Sequence, residues 1–369
     1  MNWSTGQWRS CCKMPWSVIN STGDSPWQAD RIDERRRASM AGQRHADCSS
    51  CWNDEDRGIP SFRQTTASSR IMNRFILNLG NTCNLSCTYC HSGNSSIWAN
   101  KTGNHPHVPD DIADARDIFW KWWNSVGKDR VERLVISGGE PSLMSETYQW
   151  IEKADLSGKE VLFNTNAAVN DRWWNEFLLM LRDLSRKNRV IIRVSMDAVD
   201  RRFEWIRTGL KWNIFEKNML DLAEVSQANN ILMRISPTLS CLTLEGVLDT
   251  ANWTKKFSDS IGIRNPFVQY DAFSIVGEPL NQRPDPWLGH FKEDLVRISQ
   301  MANDVCFNSD LPMQLRSLIR LADKAKPTTT NARSVLLTMS LLENQWGKTS
   351  WTAEFPRLHA AVLAAASNE

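Results

Sequence analysis

Six short apolar segments, alternating with stretches of helical spacing, constrain this chain more than any other feature. They are residues 74–79 (RFILNL), 131–137 (VERLVIS), 160–164 (EVLFN), 189–195 (RVIIRVS), 231–236 (ILMRIS) and 263–270 (IRNPFVQY). Most are rich in Val, Ile, Leu or Phe and bounded by polar, Gly, Pro or Asn residues, the pattern of a strand. The starts at 131, 160 and 189 are 29 residues apart, close to the roughly 30 residues that a strand, a crossover helix and two loops need. Parallel neighbours require such crossovers, so the alternation implies a parallel sheet. Six units fit an α/β fold of the incomplete (β/α)6 TIM-like barrel type. An open doubly wound sheet shares the periodicity, and spacing alone does not separate the two.

Helical patterns fill the gaps. Asp110 or Asp111, after Pro109, is placed to cap a helix over 111–126, which Gly127 is expected to stop. Residues 173–184, 213–228 and 243–257 show the same apolar spacing. Two flanks fall outside the alternation. Residues 1–66 carry four cysteines and the charged run ADRIDERRRASM, expected as one short exposed helix. Residues 287–369 read as helices broken at Pro312, Pro327 and Pro356, after a linker, NQRPDP, at 281–286. The expected division is a Cys-rich module over 1–66, a barrel over 67–286 and a C-terminal helical region over 287–369.

The 44 basic and 42 acidic residues leave a net charge of +2, a balance that argues against an electrostatic footprint for nucleic acid. No window approaches the roughly 18 consecutive apolar residues of a membrane span. The first residues lack the charged and apolar regions of a secretory signal. Nine cysteines cluster as Cys11–Cys12, Cys48–Cys51 and Cys83–Cys87–Cys90, with Cys241 and Cys306 alone. Without an export signal, such clusters read as metal ligands, not disulfides, and a reducing cytoplasm is the expected setting.

The strongest local signal is Cys83-Asn-Leu-Ser-Cys87-Thr-Tyr-Cys90, directly after the first expected strand. Three thiolates can ligate three corners of a cubane cluster and leave one iron without a protein ligand. An open iron lets a cluster bind a substrate as well as pass electrons. The alternative is a zinc site completed by His91, although the C-x3-C-x2-C spacing is unusual for structural zinc.

With an aromatic residue, Tyr89, just before its last cysteine, this motif resembles that of the radical S-adenosylmethionine superfamily. A second element, Ser137-Gly138-Gly139-Glu140-Pro141, follows the second strand. The resemblance implies that this segment holds the amino group of bound S-adenosylmethionine. Glycines let backbone carbonyls approach closely, and Glu140 brings charge opposite an ammonium. Asn164-Thr-Asn166 ends the third strand, where the family often has a Thr-Asn step. Ser195-Met-Asp197 ends the fourth, where polar residues commonly bind the ribose hydroxyls. Arg193 shares strand parity with both, so all three are expected on one side, with Arg193 toward the methionine carboxylate. Every proposed group falls at the carboxyl end of an expected strand, where barrel enzymes build their sites.

The N-terminal residues are similar to a twitch-like module of one subgroup of that superfamily. The matching residues are Gly6-Gln-Trp-Arg-Ser-Cys11-Cys12, then Cys48-Ser-Ser-Cys51-Trp52, Glu55, Gly58, Ser61 and Arg63, with residues 92–98 (SGNSSIW) beyond the radical cysteines. The resemblance implies an auxiliary 4Fe–4S cluster on Cys48, Cys51 and one or both of Cys11 and Cys12. A small zinc knuckle on the same thiolates is the alternative. The subgroup often carries a further cysteine upstream, so either an open iron or additional upstream residues are expected.

The resemblance therefore implies a 4Fe–4S cluster and S-adenosylmethionine as cofactors, and a flavodoxin or ferredoxin-like reductant. It implies a 5′-deoxyadenosyl radical that abstracts hydrogen from a substrate. A peptide or protein side chain is the first expectation, and a nucleotide, sugar or other small metabolite the second. A zinc-bearing structural or nucleic-acid-binding protein is the rival from another class. Cys241 and Cys306 are expected as buried thiols, and His105 and His107 as exposed loop residues. Trp120, Trp122, Trp123, Trp173 and Trp174 are expected to pack on the barrel or its flanks.

Overall fold

The computed structural model describes residues 1–8, 17–18, 37–56, 61, 74–262, 267–275 and 282–367. Strands form at all six expected places: β1 (Arg74–Asn78), β2 (Arg133–Ser137), β3 (Glu160–Thr165), β4 (Arg189–Ser195), β5 (Leu232–Ser236) and β6 (Val268–Tyr270). They carry the parallel sheet of an α/β fold of the partial-barrel type. The chain divides into two compact units. One comprises Met1–Thr82, Ser92–Phe163 and Lys187–Arg189, and the other Cys83–His91, Asn164–Arg186 and Val190–Glu369.

In the first unit β1 pairs in parallel with β2, Phe75 beside Leu134 and Asn78 beside Ser137, and β2 pairs in parallel with β3. β1 alternates buried and half-buried residues, while β2 buries three in succession, as expected of a strand covered on both faces. The start of the chain adds to β1. The Met1 ammonium donates to the Ile76 carbonyl at 2.8 Å, and Trp3 N–H donates to Asn78 at 2.6 Å. Trp3 meets Phe119 and Trp120 edge-on at 5.5 and 5.8 Å, within an aromatic cluster that also takes in Phe75, Trp123 and Trp150.

Among the helices of this unit are α1 (Ser49–Asp56), α2 (Ser96–Thr102), α3 (Ile112–Trp122) and α4 (Ser145–Lys153). Residues 37–40, the end of the charged run, are helical. Asp111 occupies the cap position of α3 without a side-chain capping bond. Gly127 does not stop that helix. The chain continues through a π turn, Trp123–Gly127, into Lys128–Arg130. A Cβ at Gly127 would lie 2.8 Å from the Trp122 ring. Glycine is there to make room for an indole, not to end a helix.

In the second unit β5 lies between β4 and β6, with Ser195 beside Ser236 and Tyr270 beside Ile235. Helix α5 (Asp171–Ser185) is capped by Asn170 and buries Trp174, Phe177, Leu178, Leu181 and Leu184, an apolar stripe at helical spacing. There follow α6 (Asp200–Ile206), α7 (Trp212–Asn229), which ends at Asn230 with φ of 56°, and α8 (Val247–Ser260). The C-terminal region supplies α9 (Lys292–Gln300), α10 (Leu311–Ala322), α11 (Thr329–Trp346) and α12 (Pro356–Ala366). The three prolines mark starts. Pro312 and Pro356 lie in first turns, where the N–H that proline lacks has no acceptor, and Pro327 precedes the Thr328 capping box. Among the described residues, no helix is long and apolar enough to cross a membrane.

Candidate active site

The glycine segment belongs to the first unit. Pairing continues past the ends of β1 and β2: Leu79 N–H donates to Ser137, Gly139 N–H to Gly80 and Glu140 N–H to Thr82, at 3.0, 2.8 and 2.8 Å. The two backbones run so close that only glycine fits. Gly138 has φ of +140°, and a Cβ there would lie 2.6 Å from the Gly80 oxygen. At Gly139 it would lie 2.1 Å from the oxygen of Thr82, the residue that covalently precedes Cys83. Glu140 is buried and caps the short turn Pro141–Leu143, accepting from Ser142 N–H at 3.2 Å and from its hydroxyl at 2.7 Å. The segment read as holding S-adenosylmethionine is thus a rigid turn.

The cysteine loop belongs to the second unit. Its Ser86–Cys87 step pairs antiparallel with Arg207–Thr208, placing Cys87 opposite Arg207, and Thr88 N–H donates to Ile206 at 2.9 Å. A turn follows, in which Cys90 N–H donates to Cys87 at 3.0 Å. Leu85 N–H donates to the Cys83 sulfur at 3.4 Å, and Asn166 Nδ2 stands 4.0 Å from the same sulfur. Arg207 Nη1 donates to the Cys87 sulfur at 3.8 Å. N–H groups aimed at sulfur are the outer support that thiolate ligands of an anionic cluster receive, so these residues fit such a group.

Burial pushes the Cys87 thiol up, against the opposing pull of Arg207, and pushes Cys90 up to about 12. Metal binding must therefore displace protons from these sulfurs. Burial lowers the pKa of His91, which favours the neutral ring. Among the described residues, no group of three or more His, Cys, Asp or Glu side chains is set to hold a metal ion. Ligands of one zinc ion must converge on a point, whereas those of a cubane each reach a different iron.

The ends of β3 and β4 hold the loop's surroundings. Asn166 donates to Asn84 Oδ1 at 2.9 Å and accepts from Ala168 N–H at 2.8 Å, while Asn84 donates to the Ala168 carbonyl at 2.6 Å. Asp197 is fully buried. It accepts from the Tyr89 hydroxyl, from Arg207 Nε at 2.7 Å and from Thr238 N–H at 2.7 Å. Arg193 pairs with the buried Asp271 at 2.6 Å. Arg193 and Ser195, two residues apart on β4, share a face of the strand. Ser195 is the last residue of β4. Beyond it alternation no longer sets direction, and Asp197 and Arg193 are engaged by protein partners.

Three supporting residues escape the sequence reading. Asn84 occupies a spacer position of the cysteine motif, and Arg207 lies between two helical patterns. Gln282, in the segment read as a linker, is buried and donates to the Thr88 carbonyl at 3.0 Å. None carries a spacing signal, because each is far in sequence from what it touches. Toward the N-terminus, Cys48 ends a short turn, Ala46–Cys48, and Cys51 is buried on α1. Ser61 donates to Glu55. Cys11, Cys12, Gly58 and Arg63 lie outside the described residues.

The strands form a parallel α/β sheet, with a three-cysteine loop directly after the first of them in sequence. Residues 77–239 match the family described as the Radical SAM superfamily, so this stretch of the chain carries a radical SAM domain. Members of that superfamily are enzymes that use a 4Fe–4S cluster and S-adenosylmethionine. No curated protein matches the chain in sequence. Among solved structures, native anSMEcpe with bound AdoMet aligns with a TM-score of 0.39 and 17% identity, covering 64% of this chain and 63% of that one. Streptococcus suis SuiB bound to S-adenosylmethionine aligns at 0.44 and 13% identity, covering 75% and 60%. TYW1 with a lysine-pyruvate adduct aligns at 0.37 and 14% identity, covering 73% and 81%. The chain thus spans less than two thirds of the length of anSMEcpe and SuiB.

Proposed function

We propose that the protein reductively cleaves S-adenosylmethionine at a 4Fe–4S cluster held by Cys83, Cys87 and Cys90, and acts on a peptide or protein side chain. The observation that carries the first part is the three-cysteine loop, whose first two sulfurs receive N–H donors at 3.4 and 3.8 Å. When bound, the cluster and S-adenosylmethionine supply a 5′-deoxyadenosyl radical able to abstract hydrogen from a substrate. The residues supply placement. Gly138 and Gly139 offer backbone at a point no side chain can occupy, and Glu140 brings a buried carboxylate to the turn, a fit to an ammonium group. Pro141 stiffens the turn, and Asn166 and Ser195 offer polar groups at strand ends. Tyr89 donates to Asp197, Asp197 accepts from Arg207, and Arg193 pairs with Asp271, so these three residues are held within the protein.

The peptide reading rests on the N-terminal cysteines. An auxiliary cluster on Cys48, Cys51 and one or both of Cys11 and Cys12, within a module over 1–66, is the arrangement that resembles peptide-modifying members. A flavodoxin or ferredoxin-like protein is proposed as reductant.

Anaerobic reconstitution tests both parts. About eight irons per chain, falling to about four when Cys83, Cys87 and Cys90 become Ala, is expected for two cubanes. The wild-type protein under strong reduction should release methionine and 5′-deoxyadenosine, and the triple variant should release neither. Absence of methionine from the wild type overturns the reading. Substrate class is decided by a peptide panel. Peptide-dependent 5′-deoxyadenosine supports the peptide reading, and a response to nucleotides or sugars alone overturns it.

A further inference from the structure

Arg207 is tied to Cys87 twice. Its backbone lies opposite Cys87 in the two-residue ladder, and its Nη1 donates to the Cys87 sulfur at 3.8 Å. Its Nε donates to Asp197 at 2.7 Å, and the guanidinium lies 5.7 Å from the Tyr89 ring centre. Tyr89 in turn donates its hydroxyl to Asp197. The group is almost wholly inaccessible, with Arg207 exposed by 6% and Asp197 by 0%.

Such a pair is an expensive way to hold a loop. Two buried charges lose their water, and an apolar pair of the same volume would often serve stability as well. What an apolar pair lacks is a fixed N–H at a sulfur atom. That contact is weak to a neutral thiol and strong to a thiolate, since hydrogen bonds gain most when one partner is ionised. The Asp197 carboxylate occupies Nε, fixes the plane of the guanidinium and leaves a terminal N–H on the cysteine side. The positive end of the pair faces the sulfur.

We propose that Arg207 is a positioning residue for the cluster: anchored by Asp197, it donates to the Cys87 ligand and raises the reduction potential at which the cluster takes up its electron. The proposal rests on the reading of Cys83, Cys87 and Cys90 as cluster ligands. Hydrogen bonds and nearby charge at the sulfurs set cluster potentials. A cation beside one ligand stabilises the reduced state, which carries one more negative charge. Arg207 and Asp197 should therefore act on the potential with opposite signs.

The test is a potentiometric titration of the reconstituted full chain, followed by the electron paramagnetic resonance signal of the reduced cluster, for wild type, Arg207→Gln, Arg207→Lys and Asp197→Asn. Arg207→Gln is expected to move the midpoint to a more negative potential. Arg207→Lys keeps the charge and should stay nearer wild type, and Asp197→Asn should move it to a more positive potential. A purely structural role would move the Arg207→Gln and Asp197→Asn midpoints in the same direction, and that result, or an unmoved midpoint in both, overturns the proposal. If Arg207→Gln retains no iron, Asp197→Asn decides: a midpoint above wild type supports the proposal, and one at or below it overturns it. Failure of the ligand reading looks different, because the titrating signal would then survive replacement of Cys83, Cys87 and Cys90 by Ala.

Discussion

Gly139 and Thr82 approach so closely that a Cβ on the glycine would stand 2.1 Å from the threonine carbonyl oxygen. Both sides of the contact are backbone, so no rotamer change relieves it. Gly139→Ala is expected to cost about 3 kcal/mol or more, in the range reserved for strain at special backbone positions. Gly138→Ala adds a side chain at φ of +140° and should be as severe. Urea unfolding of the two variants checks this, and a midpoint within error of wild type for either would show that the turn can yield.

Asn84 and Asn166 form a closed amide pair. Asn166 is buried, and each amide also satisfies a backbone group of Ala168. Either Ala substitution strands buried partners, at roughly 1–3 kcal/mol each. Because the two share one network, the double variant should be less destabilised than the sum of the singles. A double-mutant cycle by chemical denaturation reads the coupling directly, and additivity would refute it.

Trp3 is 8% exposed and lies under the Arg116 guanidinium, 5.2 Å from its ring centre. Trp3→Ala is expected to cost about 3–5 kcal/mol, as for other buried aromatic truncations. Arg116→Ala should cost about 1 kcal/mol, the scale of a cation–π contact with a modest hydrogen bond. Equal losses in denaturant midpoints would contradict this ranking.

Burial pushes the Cys241 thiol up to about 12, from an ordinary value of 9.0, against the smaller opposing pull of backbone hydrogen bonds at Leu242 and Cys241. Between those values the unfolded chain gives up the proton and the folded chain keeps it, so stability falls as pH rises, by up to about 1.4 kcal/mol per pH unit. Below pH 9 the contribution is fully present. Cys241→Ala should lose less stability than wild type between pH 8 and 10.5, measured as the difference in urea unfolding free energy. Parallel profiles for the two proteins would exclude the effect.

Much of the fold was legible because it is written in local periodicity. The strand at 189–195 is the segment expected, four others differ from expectation by one or two residues at their ends, and residues 263–266 of the sixth lie outside the described residues. Glycine was harder to read. At 138 and 139 it marks close approach to the backbone of Gly80 and Thr82, and at 127 it makes room for Trp122 inside a continuing helical segment. Both look alike in sequence, since the letter records a missing side chain and not what fills the space.

The sequence by itself determined the alternating α/β order, the spacing of Cys83, Cys87 and Cys90 and the glycine turn after β2, all of which rest on residues near one another along the chain. Only the tertiary structure decided what faces them. Arg207 meets Cys87 across 120 positions, Gln282 meets Thr88 across 194, and Asp197 spends its carboxylate on Tyr89, 108 residues earlier. Periodicity follows from the local geometry of helix and strand, whereas these partners are chosen by how buried polar groups find donors once the chain has folded.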